Sequence, residues 1–69
     1  MNITLNHNPE VIETDYDSIT VQELLLMRSF TYKMLIVKVN DALVVKENYS
    51  TATVKNGDNV MVIHLMTGG

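Results

Sequence analysis

Cysteine is absent from the 69 residues, and its absence removes several kinds of chemistry at once. The chain can form no disulfide, thiolate zinc site, persulfide or cysteine nucleophile. Long apolar runs are also absent, and none approaches the roughly 20 residues of a membrane-spanning helix. Residues 1–4, Met-Asn-Ile-Thr, lack the basic and apolar regions of a signal peptide. We therefore expect a cytoplasmic protein with no membrane partner.

Positive charge is scarce as well. Five Lys and Arg residues stand against eight Asp and Glu, which gives a net charge of -3. Nucleic-acid binding needs a basic surface, so we expect no nucleic-acid partner. Five of the acids precede every basic residue of the chain: Glu10, Glu13, Asp15, Asp17 and Glu23. This acidic segment is either a solvated loop before a helix or a patch that attracts a basic partner.

Glycine is rare, and two of the three glycines are the final residues, Gly68 and Gly69. With no Cβ, such an end can enter a narrow enzyme cleft. A cloning remnant or a cut site would leave the same dipeptide, so the pair has meaning only if a small domain presents it. The composition, 46% hydrophobic and 19% charged, suits one packed domain. We predict a domain over residues 1–66 and a flexible tail of Thr67, Gly68 and Gly69.

The first half of the chain predicts a hairpin and one helix. Apolar and polar residues alternate at 2–6, which indicates a half-buried strand. Residues 6–9 predict a turn in which Pro9 interrupts pairing, residues 11–12 a second strand, and residues 15–18 a loop. Thr20 and Glu23 have the spacing of a capping box, so a helix should run from about Val21 to Arg28. One face of this helix should carry Val21, Leu24, Leu25 and Arg28, with the Arg28 side chain at the edge of that face.

The second half predicts three strands. Residues 34–39 are rich in β-branched side chains and form a strand; residues 40–41 form a turn, 43–45 a short strand, and 47–50 a helical turn or loop. Residues 56–58, Asn-Gly-Asp, predict a tight turn before a last strand at 60–66. One helix can cover only one face of such a sheet, which gives an α+β layer pair.

Both long strands of the second half carry apolar residues on both faces. If Val60 and Val62 face the helix, alternation places Met61, Ile63 and Leu65 on the open face. The same rule places Ile36 on the open face of the preceding strand, together with two neighbours, Met34 and Lys38. Single exposed hydrophobic residues are normal, but a contiguous patch marks a partner surface. We predict a partner-binding surface made of Met61, Ile63, Leu65 and Ile36.

Three blocks of sequence and the chain's end carry a resemblance to a known family. The blocks are residues 20–25, Thr-Val-Gln-Glu-Leu-Leu, residues 39–49, and residues 54–60, Val-Lys-Asn-Gly-Asp-Asn-Val, and the chain ends in Gly-Gly. They resemble the ThiS family of thiamine-biosynthesis sulfur carriers, which belongs to the ubiquitin-like β-grasp proteins and is related to the MoaD family. That family's patterns are Thr-Val-x-Glu-Leu-Leu, Val-Asn-x-x-Val-Val-Pro-Arg-x-x-Tyr/Trp and Val-x-Asp-Gly-Asp-x-Val. This chain departs from them with Leu43 and Asn56, with Val45 in place of proline, and with Lys46 in place of arginine.

The resemblance implies a mixed sheet of four to five strands with one main helix packed on one face. It also implies a carrier and not an enzyme, with no catalytic residue, metal or stably bound cofactor of its own. An E1-like adenylyltransferase (ThiF-like) would use MgATP to adenylate the Gly69 carboxylate. A sulfur donor protein would then convert this group to a thiocarboxylate, and a thiazole synthase (ThiG-like) would receive the sulfur.

Other functions remain open from the sequence. A molybdopterin-synthase small subunit (MoaD-like) would use the same tail for another pathway, and a ubiquitin-like modifier would join Gly69 to an amine. A plain interaction module would not use the tail. His7 and His64 are far apart in sequence and lack a cluster of further ligands, so we interpret them as surface or packing residues.

Overall fold

The computed structural model of the chain describes residues 1–31 and 34–65. Within these ranges the chain forms seven β-strands and one α-helix, with a 3-10 turn at Lys46–Asn48. In chain order these are β1 (Asn2–Leu5), β2 (Asn8–Val11), β3 (Ser18–Thr20), α1 (Val21–Met27), β4 (Leu35–Val39), β5 (Ala42–Val44), β6 (Thr53–Lys55) and β7 (Asn59–His64). Five strands form one sheet in the order β2-β1-β7-β4-β5, and β3 pairs with β6.

The five-stranded sheet is mixed because β1 and β7 run parallel, whereas its other neighbouring strands are antiparallel. The buried face of α1 packs in the same apolar cluster as the inward side chains of this sheet. This architecture is the α+β, ubiquitin-like β-grasp fold that the sequence predicted, with five strands in the main sheet. The small β3–β6 sheet was not predicted.

The first hairpin differs from the prediction at Pro9. The turn consists of Asn6 and His7 alone, both with positive φ (50° and 70°), as a type I′ hairpin turn requires. Pro9 already lies in β2, opposite Thr4 of β1. The prediction that proline interrupts pairing is wrong because β2 is an edge strand, where a residue without an N–H can be accommodated. Ile12 follows β2 and does not lie in it, but it is buried.

The helix begins as its sequence predicts. The Thr20 hydroxyl accepts a hydrogen bond from the Glu23 N–H at 3.0 Å, and the Thr20 N–H donates to the Glu23 carboxylate at 2.9 Å. The helix ends at Met27 with Arg28 as its C-cap, one residue before the predicted end. Val21, Leu24 and Leu25 form its buried face. The backbone N–H groups of Thr20 and Glu23 are therefore each bonded to a side chain only three residues away.

Removal of this cap should lower stability measurably. We expect Thr20→Ala to reduce the free energy of unfolding by about 1 kcal/mol, because an N-cap oxygen is lost. Thr20→Ser retains the oxygen and should cost less than half as much. Urea unfolding followed by circular dichroism measures both. Equal losses in the two variants would assign the effect to the threonine methyl group in β3 and contradict the capping explanation.

The predicted inward and outward positions of the long strands are correct. Val37, Val60 and Val62 are buried, and Leu35 and Val39 pack partly buried against the same core. The strand boundaries differ from the prediction by one or two residues: β4 begins at Leu35, β5 is shifted one residue earlier to Ala42–Val44, and β7 spans Asn59–His64. Residue 66, the predicted end of the last strand, lies outside the described residues. The core therefore lies between α1 and one face of the sheet, while the opposite face carries no covering helix among the described residues.

Candidate partner-binding site

The strand β7 carries two of the predicted surface residues and lies between β1 and β4. Its backbone is fixed by Asn6, whose N–H donates to the Val60 carbonyl at 2.9 Å. The side-chain oxygen of Asn6 accepts a hydrogen bond from the Val62 N–H at 2.7 Å. With Val60 and Val62 buried, strand alternation directs Met61 and Ile63 to the open face.

The neighbouring strand β4 completes a contiguous apolar area. Ile36 lies directly opposite Ile63, and Lys38 lies opposite Met61. Directly opposite side chains in antiparallel strands have Cβ atoms about 5 Å apart, so each pair is in contact range. The predicted residues Ile36, Met61 and Ile63 are therefore brought together on one face.

Leu65 extends this area just beyond the end of β7. Its N–H donates to the Met34 carbonyl at 3.0 Å, which continues the β4–β7 pairing by one position. Ile63 and Leu65 are each 41% exposed, whereas Met61 and Ile36 are half-buried. The side chains predicted as a partner surface are thus available at least in part to another protein, and their role in binding stays a prediction.

The open face is almost uncharged. Pairing and alternation assign ten positions of the described strands to it: Asn2, Thr4, Pro9, Val11, Ile36, Lys38, Leu43, Asn59, Met61 and Ile63. Leu43 is 62% exposed and Val11 59% exposed, and sequence reasoning selected neither. The sequence could have indicated that Leu43 lies on the open face. Its neighbour Val44 packs against the core, and adjacent residues of a strand point to opposite faces.

A groove adjoins this face where β5 ends. It has a volume of about 460 Å³ and is lined by Met34, Leu35, Ile36, Leu43, Val44, Val45, Lys46, Tyr49 and Leu65. The groove forms because β5 pairs with β4 only from Val37 to Val39 and the chain then turns away into the 3-10 turn. Two of the predicted surface residues, Ile36 and Leu65, line it. The groove opens beside Leu65, the last described residue before the predicted tail.

The sequence also singled out the C-terminal tail and the two histidines. Thr67, Gly68 and Gly69 lie outside the described residues. His7 lies in the first turn and is exposed, and His64 lies at the end of β7. In the ranges 1–31 and 34–65 there is no group of three His, Cys, Asp or Glu residues placed to hold a metal ion.

The acidic segment has mixed roles. Glu10 pairs with Arg28 at 3.4 Å, and the Arg28 Nη2 donates to the Val11 carbonyl at 3.0 Å, which ties α1 to β2. Glu23 belongs to the helix cap. The other three acids of the segment are exposed, and an attraction for a basic partner stays a prediction.

Comparison with known proteins agrees with this architecture. The ThiS family model matches residues 3–69. The crystal structure of the thiamine biosynthesis protein ThiS from Geobacter metallireducens is 31% identical over 100% of both chains, with a TM-score of 0.85. A solution NMR structure of a thiamine biosynthesis protein from the same organism is 30% identical over 100% of this chain and 88% of that chain, with a TM-score of 0.75. No curated protein sequence matches the chain significantly.

The fold and these similarities define the class as a ubiquitin-like β-grasp carrier domain. The match from residue 3 to residue 69 is specific within that class, and the chain belongs to the ThiS family of sulfur carriers. Across the two described ranges, no helix has the length and apolarity that crossing a membrane requires.

Proposed function

We propose that the chain carries sulfur for the thiazole ring of thiamine as a thiocarboxylate on Gly69. The observation that carries this proposal is the family match, which extends through the terminal Gly68 and Gly69. The strand β7 supports it, because this strand is held on both sides by β1 and β4 and leads toward that end of the chain. The proposal favours thiamine over molybdopterin because the matching family is the ThiS family and the two structures compared above are thiamine biosynthesis proteins.

The chemistry follows from the weak reactivity of a carboxylate. An E1-like adenylyltransferase of the ThiF type would transfer AMP from MgATP to the Gly69 carboxylate and release pyrophosphate. The adenylate supplies a good leaving group, so hydrosulfide delivered by a sulfur donor protein could attack the Gly69 carbonyl carbon. A C–S bond would form, the C–O bond to AMP would break, and AMP would leave. The resulting thiocarboxylate would then give its sulfur to a thiazole synthase of the ThiG type. MgATP would be bound by the activating enzyme, and we propose a cytoplasmic location for these steps.

The chain's own contribution is to be recognised and to present its end. An activating enzyme must hold the Gly69 carboxylate at its nucleotide while it binds the body of the carrier. The open face with Met61, Ile63 and Ile36 offers the apolar contact area, and Leu65 connects it to the tail. Side chains at the last two positions would obstruct a narrow entrance, which is why glycine suits both.

A direct test is conversion of the full-length protein by the adenylyltransferase of the same organism, with MgATP and sulfide. Intact mass spectrometry should show that one oxygen at the C-terminus is replaced by sulfur. A variant that lacks Gly69 should give no product, although its fold should be unchanged because the deletion lies beyond β7. If the active enzyme leaves the wild-type mass unchanged, the carrier chemistry is refuted. An isopeptide bond from Gly69 to a lysine would indicate a modifier instead.

A further inference from the structure

One charged side chain, Lys38, lies among the open-face positions of the described strands. Its two cross-strand neighbours are apolar: Leu43 on β5 and Met61 on β7. Lys38 itself is exposed. Strand β4 is also flanked on both sides, so Lys38 lies inside the apolar surface and not at the outermost strand.

The Lys38 ammonium has no carboxylate partner within residues 1–31 and 34–65. The ion pair found there joins Arg28 to Glu10, on the helix side of the sheet. The acids that cluster between positions 10 and 23 do not occupy the open face of the strands. Although the whole chain is acidic, with a net charge of -3, the face that would meet a partner therefore carries a positive charge.

We propose that the surface of the activating enzyme that covers this face carries a carboxylate opposite Lys38. This inference rests on the proposed function, which brings that enzyme onto the open face. Covering the face removes water from the ammonium, and an ammonium without a replacement partner is strongly unfavourable in an interface. The methylene groups of Lys38 can pack beside Leu43 and Met61, while its charged end meets the carboxylate. Lys38 then selects between partners of similar shape and different charge.

The test measures the affinity of the full-length chain for the purified adenylyltransferase of the same organism. Lys38→Glu places two like charges in contact and should weaken binding about 100-fold. Lys38→Met keeps the apolar stem and removes the charge, so it should weaken binding about 10-fold. Lys55→Glu on β6 is the matched control, because it is exposed and makes the same change in net charge. It should alter affinity less than about 3-fold, as expected for a charge outside the contact.

Salt provides an independent readout. Added salt should weaken binding of the wild-type chain more steeply than binding of Lys38→Met, because screening acts on the pair that the variant lacks. If Lys38→Met binds as tightly as wild type, or Lys38→Glu binds no worse than Lys55→Glu, the inference is overturned. In that case a charged substitution at Ile63 that still prevents binding would leave the proposed function intact. If Ile63 substitutions also bind normally, the proposed role of the open face fails with it.

Discussion

Replacing Ile63 by aspartate should weaken binding to the activating enzyme at least about 100-fold, because an unpaired charge would be buried in an apolar contact. Ile63→Lys should have a similar effect, since burial opposes a charge of either sign. Ile63 is 41% exposed in the free protein, so the free energy of unfolding should change by less than about 1 kcal/mol. Titration calorimetry measures the affinity, and urea unfolding measures the stability.

Leu26 provides the matched control. It is 62% exposed on the helix, on the opposite side of the molecule from the open face. Leu26→Asp and Leu26→Lys therefore introduce the same charges in place of an exposed apolar residue of similar size. Both should bind the enzyme within about 3-fold of wild type. Equal losses at positions 26 and 63 would show that net charge, and not the open face, determines binding.

The helix and the long strands could be predicted because their determinants are local. Thr20 and Glu23 are three residues apart, and each satisfies the other's backbone amide whatever the rest of the chain does. Along β7, period-two alternation allows only two assignments of the faces, and Val60 with Val62 fits the core. The open face and its residue Ile63 followed from the same rule.

The strands β3 and β6 could not be predicted in the same way. Each has three residues, too few for alternation to be recognised, and they pair across the whole middle of the chain. Only when folding brings Ile19 opposite Val54, both buried, does either segment acquire a partner. The prediction at Pro9 failed for a related reason, because proline is compatible with an edge strand and strand order is not visible in a local pattern.

The groove also escaped sequence reasoning. The β5 strand ends at Val44, so the first two residues of β4 have no partner on β5 and the groove opens beside them. The 3-10 turn that follows brings Tyr49 into the lining of this groove. In the sequence, Tyr49 stands out only as the last residue of the 39–49 block. That Tyr49 and Leu65 line the same groove depends on the register of the strands and not on any motif.

Asn6 should be among the most sensitive positions for stability. We expect Asn6→Ala to lower the free energy of unfolding by about 2–4 kcal/mol, from two separate losses. The N–H of buried Val62 would lose its acceptor, the side-chain oxygen of Asn6. Alanine would also have to adopt the left-handed backbone of Asn6, where φ is 50°. A domain of this length has a total stability of only about 3–10 kcal/mol, so much of the chain population could unfold.

Two further variants separate these losses. Asn6→Gly accepts the left-handed backbone but has no acceptor, so it should lose only about 1–3 kcal/mol. Asn6→Asp keeps an oxygen for the Val62 N–H and tolerates positive φ, so it should lose less than about 1 kcal/mol. Urea unfolding gives the three values, and hydrogen exchange at the Val62 amide reports the bond itself. Identical losses for alanine and glycine would exclude a contribution from backbone strain.

The position of Asn6 explains why this bond concerns the site as well as the fold. β1 and β7 pair only through Thr4 and Leu5 in the ladder, and Asn6 extends that attachment to the Val60 carbonyl and the Val62 N–H. If the attachment is lost, the edge of β7 can separate from β1 locally at a lower free energy than global unfolding. On β7, Val60 and Val62 direct their backbone polar groups to β1, whereas Met61 directs its N–H to β4. We therefore expect amide exchange in Asn6→Ala to accelerate more at Val60 and Val62 than at Met61. Uniform acceleration across all strands would contradict a local role for Asn6.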